Sequence, residues 1–283
     1  LNEYHSTEES HLVRSNFIKG LIQNSKESAI ANPAFTNKIP KRIIQFWDNL
    51  DQLPMDVSEC IETWEKVEKQ GFKRLLYDRN QARNFISHRL GNKYKQAYDK
   101  CYHPAMQSDY FRLCYIFMEG GCYIDADDVY EGVDIRHLFN DGRLKIQPLC
   151  YDGKTNSMVP PSLFTLQGAG EKSWIFYFNN NPLIAACKHP IIELALETAT
   201  LALERDMAKE LPDIQSTTGP GNLTKSIFDI ALKDKSINET IKVLCDWEKI
   251  ATSKWPLSYR NDNRNWRFSD CKRLITIDFK EDE

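Results

Sequence analysis

The chemistry-bearing residues of this chain gather in the run YIDADDV, residues 123–129, where Asp125, Asp127 and Asp128 close a short apolar segment. On an extended chain Asp125 and Asp127, two apart, leave the same face, so one ion can meet both. Carboxylate oxygens with no neighbouring Cys or paired His select hard cations such as Mg²⁺ or Mn²⁺, which complete their shells with water and substrate phosphates. The implied substrate therefore carries a diphosphate or a similar group. Upstream, Asp109 and Arg112 lie three apart on an apolar helical pattern and so share a face. A charged pair on an enclosed helix is satisfied by its own members, as a structural ion pair, or by a polar ligand that docks there.

These residues need a scaffold, and the pattern around them predicts one. Pro104 suits a first helical turn, Met106, Tyr110, Leu113, Cys114 and Phe117 form an apolar stripe, and Gly120-Gly121 ends the helix before a strand over Cys122 to Asp125. Earlier, KIPKRIIQFW (residues 38–47) reads as a first buried strand, 56–70 as a helix stopped at Gly71, 72–77 as a strand, and the residues after Asp78 as a capped helix. Strand, helix, strand, helix predicts a Rossmann-like parallel sheet, whose ligands gather at the carboxyl ends of its strands and so near Trp47 and Asp48. Strand-like pieces at 144–147, 162–166, 174–178 and 241–244 predict a mixed second half, with amides at Asn179, Asn180 and Asn181 over the same sheet edge. Helices are expected over 190–209 and 222–232. His189, before Pro190, reads as a cap or packing residue rather than a metal ligand. Residues 1–37 are expected to be an arm helical in parts, with Val13, Phe17, Ile18, Leu21 and Ile22 as a stripe that reads as packing on the main domain of 38–283 rather than as a membrane- or partner-docking face.

Bulk composition narrows the classes. With 283 residues, 41% hydrophobic, 27% charged and a net charge of -3, the chain reads as an ordinary globular protein, and nucleic acid is not expected as its ligand. The eight Cys are scattered without a CxxC pair, which fits reduced thiols of a cytoplasmic compartment. No apolar run is long enough for a transmembrane segment. Residue 1 is Leu, so that reading covers only this stretch, and a secreted effector or a lumenal enzyme cut from its anchor fits as well.

Two metal-dependent families use carboxylates in this way. DADDV fits the DxDx(T/V) pattern of haloacid-dehalogenase-type phosphatases, in which the first Asp is a nucleophile, but here a full βαβα unit precedes it and no GDxxxD-like turn follows. More of the chain resembles glycosyltransferase family 32, the DXD sugar-transferase family with the Och1-like mannosyltransferases, and is similar to the catalytic domain of the large clostridial glucosylating toxins. SDYFRLCYIFMEGGCYIDADD matches the family's SDxxRxxxLxxxGGxYxDxD segment, and IPKRIIQFW its IPKxIHQxW strand, with Ile44 where His is frequent. FNNNPLIAACKHP and STTGPG look like two further segments, so the resemblance spans about residues 38 to 225. It implies an α/β GT-A fold, Rossmann-like with a mixed central sheet flanked by helices, and a hexosyltransferase that retains anomeric configuration. A nucleotide-sugar donor (UDP-sugar favoured, GDP-mannose as the other choice), Mn²⁺ or Mg²⁺, and a glycan or protein acceptor, as in polysaccharide biosynthesis, are implied with it. By motif position Gln45, Trp47, Asp109, Arg112, Asp125 and Asn180 would bind the donor, Trp47 by stacking on the base. Asp109, Arg112, Asp125 and Asp127 would serve catalysis, and Asp127 with Asp125 would hold the metal, completed by Asp262 or Asn263. A nucleotide-sugar-binding protein without turnover is the remaining alternative.

Overall fold

The computed structural model describes residues 7–24, 38–205, 211–262 and 264–265. Helix α1 (Thr7–Gln23) comes first, followed by β1 (Arg42–Phe46), α2 (Met55–Thr63), which tightens into a 3₁₀ stretch over Trp64–Gln70, and β2 (Lys73–Tyr77). Helices α3 (Arg79–Leu90), α4 (Asn92–Asp99) and α5 (Pro104–Glu119) lead to β3 (Gly121–Tyr123) and β4 (Asp128–Tyr130). The second half holds β5 (Leu144–Asp152), β6 (Ser157–Met158), α6 (Pro161–Phe164), β7 (Trp174–Ala185), α7 (Pro190–Glu204), α8 (Ile214–Thr217), α9 (Pro220–Lys233), β8 (Ile241–Val243) and β9 (Ala251–Ser253).

The main sheet runs β2-β1-β3-β7-β5-β6, with β8 also on β5. Its first three strands are parallel, β3 to β7 and β7 to β5 are antiparallel, and β5 to β8 is parallel again. This mixed α/β sheet flanked by helices is the architecture expected for a GT-A fold. Alternation along the strands sorts the core. Ile44, Tyr123 and Leu183 face the cluster packed by α1, α5 and α7, while Ile43, Cys122 and Ile184 face the opposite cluster with Trp64 and Trp247. Ile18 and Ile22 of α1 are buried in the first cluster, as their stripe predicts.

Helix α5 is enclosed on nearly all sides, from Met106 through Phe117. His103 caps it, accepting from the Ala105 N–H at 3.0 Å, and Pro104 fills the first turn where no N–H is needed. The same His-Pro device opens α7, where His189 accepts from the Ile191 N–H and is buried, as the capping reading expects. At the other end of α5, Gly120 and Gly121 have φ of 65° and 121°. A Cβ at Gly120 would lie 2.9 Å from the Cys187 nitrogen, and one at Gly121 would lie 3.0 Å from Ile44 Cδ1. The turn thus needs glycine for both conformation and space.

Three local expectations change. The stretch 162–166 is not a strand: Pro161 sits in the first turn of the short helix α6. Strand β7 does not stop at Phe178 but runs through the three asparagines to Ala185, because its far half is held between β3 and β5 while its near half pairs with β5. Strand β3 ends at Tyr123, and 125–128 is a turn closed by the Asp128 N–H on the Asp125 carbonyl at 3.2 Å. Asp125 and Asp127 are therefore not on one face of an extended chain.

Candidate donor and metal site

The site lies where β1 and β3 end, at the carboxyl edge of the parallel half of the sheet. Arg112 is its hub. The guanidinium is buried and stacked on the Tyr123 ring 4.3 Å away. Its Nη2 meets Asp125 Oδ1 at 2.8 Å, Asp109 Oδ1 at 3.0 Å and the Ser108 hydroxyl at 3.0 Å, while Nη1 donates to the Asn180 carbonyl at 2.9 Å. Burial works against the charged guanidinium, yet the two carboxylates outweigh it and raise its pKa. For Asp109 burial wins over Arg112, and the carboxyl is pushed up to about 6. The two senses agree physically: one cation faces two anions, so the cation is held firmly and the more buried anion gives way.

Asp109 is further fixed by Asn180, whose Nδ2 donates to Oδ1 at 2.8 Å, and by the TGP loop. Thr218 hydrogen-bonds the carboxylate, and a Cβ on Gly219 would sit 3.2 Å from Oδ2. Asn180 thus joins both members of the charged pair. Its neighbour Asn181 ties the turn, accepting from the Asp125 N–H at 3.1 Å and donating to Asp128 Oδ2 at 2.9 Å. Gln45 reaches the Asp125 carbonyl at 3.5 Å from β1.

The other carboxylates have different partners. Asp127 Oδ2 accepts from the Tyr259 hydroxyl at 2.8 Å and from Arg260 Nη2. Burial, then the nearby Asp125, raises the Asp127 pKa. Asp128 is buried deeper, its pKa is pushed well up by burial and by Asp127 and Asp125, and its Oδ1 has no partner. The Asp125 carboxylate remains 34% exposed.

Trp47 packs its indole edge-to-face on Tyr259, with centroids 5.3 Å apart, and its buried Nε1 has no hydrogen-bond partner. Arg264 lies over the same ring at 5.6 Å and pairs with Asp262. Asp48, Asn49, Gln52, Asp262 and Arg264 line a cavity of ≈ 370 Å³. Asp262 therefore turns toward this cavity and toward Arg264, while Asn263 lies outside the described residues.

Among the described residues no three His, Cys, Asp or Glu side chains form a group that could hold a metal ion alone. Mg²⁺-type sites commonly use one or two carboxylates and take the remaining ligands from water and substrate phosphates. The partly exposed Asp125 carboxylate and Asp127 are the one or two carboxylates that kind of site would use. Spacing and strand ends mark the carboxylates, Trp47, Asp109, Arg112 and Asn180, and the family resemblance adds Gln45. Neither signal marks Tyr259 or Arg260, which lie in a tail of mixed aromatic and basic residues without a spacing pattern.

Parts of this chain are similar to known proteins. Residues 54–132 match the family described as "Glycosyltransferase sugar-binding region containing DXD motif". Over 92 residues the chain is 30% identical to an uncharacterized glycosyltransferase of Acanthamoeba polyphaga mimivirus, covering 32% of this chain and 36% of that protein. The chain thus spans about a third of the length of the curated relative it matches. Among solved structures it is similar to the PaToxG glycosyltransferase, with a TM-score of 0.48 and 17% identity over 80% of each chain. No helix among the described residues is long and apolar enough to cross a membrane. The segment that carries α5, β3 and the carboxylate turn is glycosyltransferase-like, with a DXD region.

Proposed function

We propose that this chain is a metal-dependent, retaining hexosyltransferase of the family 32 type, taking its sugar from a nucleotide-diphosphate donor, UDP-sugar by preference, for a glycan or protein acceptor. The observation that carries the reading is the junction of Asp109, Arg112 and Asp125 beside Asp127 and Trp47. A purely structural ion pair would not need a second, partly exposed carboxylate on the same guanidinium. A donor sugar held between these groups gives each one a partner.

In this reading Trp47 stacks on the base and offers its free indole N–H, and the 370 Å³ cavity beside it takes the nucleoside. Asp109 and Asp125 accept hydrogen bonds from sugar hydroxyls, oriented by Asn180 and Asn181. Arg112 holds positive charge under the reacting carbon's leaving oxygen, where a prearranged donor favours the transition state. Asp127 and Asp125 would hold Mn²⁺ or Mg²⁺, which when bound neutralises the departing diphosphate as a Lewis acid. The division into an arm of 1–37 and a transferase domain of 38–283 belongs to the same proposal, with α1 packed into the domain core.

The test is a panel of UDP- and GDP-sugars with purified protein and Mn²⁺. One donor is expected to raise the melting temperature and to be hydrolysed slowly without acceptor. No shift with any nucleotide diphosphate overturns the reading. Phosphate release from simple esters, with an aspartyl-phosphate trapped on Asp125, would favour the phosphatase alternative.

A further inference from the structure

We propose that Arg260 is a ligand of the donor diphosphate that rests on Asp127 while no metal is bound, and that it exchanges Asp127 for phosphate when a divalent ion enters. The inference rests on the transferase reading above and adds a residue that sequence motifs do not reach.

The geometry behind it is local and specific. Arg260 belongs to a strap that crosses the carboxylate turn. Leu257 is buried, the Ser258 N–H and hydroxyl donate to Asp56 at 2.6 and 2.9 Å, and Asn265 Nδ2 donates to the Arg260 carbonyl at 2.7 Å. The backbone is pinned on both sides, so the side chain is the part free to change partner. Its guanidinium stacks 3.5 Å from the Trp255 ring, places Nη2 on Asp127 Oδ2, and leaves Nε buried without a partner.

Asp127 Oδ2 already accepts from Tyr259 and Arg260. A metal ion cannot share that oxygen with a guanidinium at contact distance, since two cations would then meet in a largely dry site. Metal entry at that oxygen therefore requires Arg260 to leave it. The released guanidinium has a planar fork suited to phosphate oxygens. It also starts next to the path a diphosphate would follow, because Tyr259 links Arg260's turn to Trp47 at one end and to Asp127 at the other. Charge stays balanced: Asp127 gains the ion as Arg260 gains the phosphate. Metal alone must displace Arg260 with no compensation, whereas metal with nucleotide supplies it, so the two ligands should bind cooperatively.

The experiment is Mn²⁺ titration followed by electron paramagnetic resonance, with and without UDP or GDP, on the wild type, Arg260→Gln and Arg260→Lys, each checked for fold by circular dichroism. For the wild type, nucleotide should tighten Mn²⁺ binding by about tenfold or more. Arg260→Gln should bind Mn²⁺ alone about tenfold tighter than the wild type, with the coupling to nucleotide reduced by about the same factor to what metal–phosphate ligation alone supplies. Arg260→Lys should keep Mn²⁺ alone weak and lose part of the coupling, because an ammonium lacks the fork. Unchanged Mn²⁺ affinity and coupling in Arg260→Gln, with nucleotide still bound, overturns the exchange and leaves the transferase reading standing. If neither UDP nor GDP binds the wild type with Mn²⁺, the transferase reading falls and the phosphate role of Arg260 with it. Should Arg260→Gln fail to fold, wild-type coupling below about twofold serves as the overturning result.

Discussion

Arg112 Nη2 lies 2.8 Å from Asp125 Oδ1 and 3.0 Å from Asp109 Oδ1, so one buried guanidinium joins the enclosed helix α5 to the turn that carries the carboxylates. Removing its charge leaves two buried or half-buried anions facing each other. Arg112→Met is expected to destabilise the fold by about 3–5 kcal/mol, the usual cost of orphaning a buried charge, measurable by urea unfolding. Arg112→Lys should retain more stability but lose the simultaneous contacts, lowering kcat/KM for donor hydrolysis by about 10²–10³-fold.

Asp109 should behave in the opposite sense for stability. Burial raises its pKa from 3.8 to about 6, so the folded state resists ionisation and loses stability as pH rises from about 4 through 6. Asp109→Asn removes that penalty while keeping an oxygen for Asn180. Above pH 6 the variant should melt at or above the wild-type temperature, and donor hydrolysis should fall by about 10²-fold. A scan of melting temperature against pH, paired with hydrolysis rates, checks both parts.

Asp127→Asn should abolish Mn²⁺-dependent turnover, by about 10³-fold or more, because an amide is a poor ligand for a hard cation. It leaves Arg260 without its carboxylate, so the melting temperature should also drop. Steady-state hydrolysis with a Mn²⁺ titration separates lost metal binding from a general loss of fold.

His189 supplies a pH test far from the carboxylates. Burial lowers its pKa from 6.5 to about 4, while its hydrogen bond to the Thr240 carbonyl opposes the shift. Between those values the unfolded chain takes up a proton that the folded chain refuses, so stability is lost as pH falls from 6.5 to 4. The loss is about 3 kcal/mol. His189→Asn retains a capping oxygen and should flatten this part of the stability profile, read as the difference between the two urea midpoints at each pH.

Gly121→Ala should cost about 2 kcal/mol or more, from a positive φ combined with overpacking. The new Cβ would lie 3.0 Å from Ile44 Cδ1 and 3.1 Å from the Arg42 carbonyl. Because β3 pairs here with both β1 and β7, circular dichroism melts should show the loss as a lower cooperative midpoint rather than as local fraying.

The sequence by itself determined the pieces whose signals are local. The apolar stripe of α5, the glycine pair after it, the parallel β1-β2 start and the cluster of carboxylates are all legible in residue spacing, because helix and strand periodicity bury one face at a time. The Asp109–Arg112 pair is legible for the same reason. What only the tertiary structure decided is which partner each charge meets. Spacing places Asp125 and Asp127 on one face, but β3 ends at Tyr123, and the turn gives Asp125 to Arg112 and Asp127 to Tyr259 and Arg260. The Asp127–Arg260 pair spans 133 residues, and no local period records a contact of that length. It exists because β9 pairs with β4 and brings the strap after it across the carboxylates.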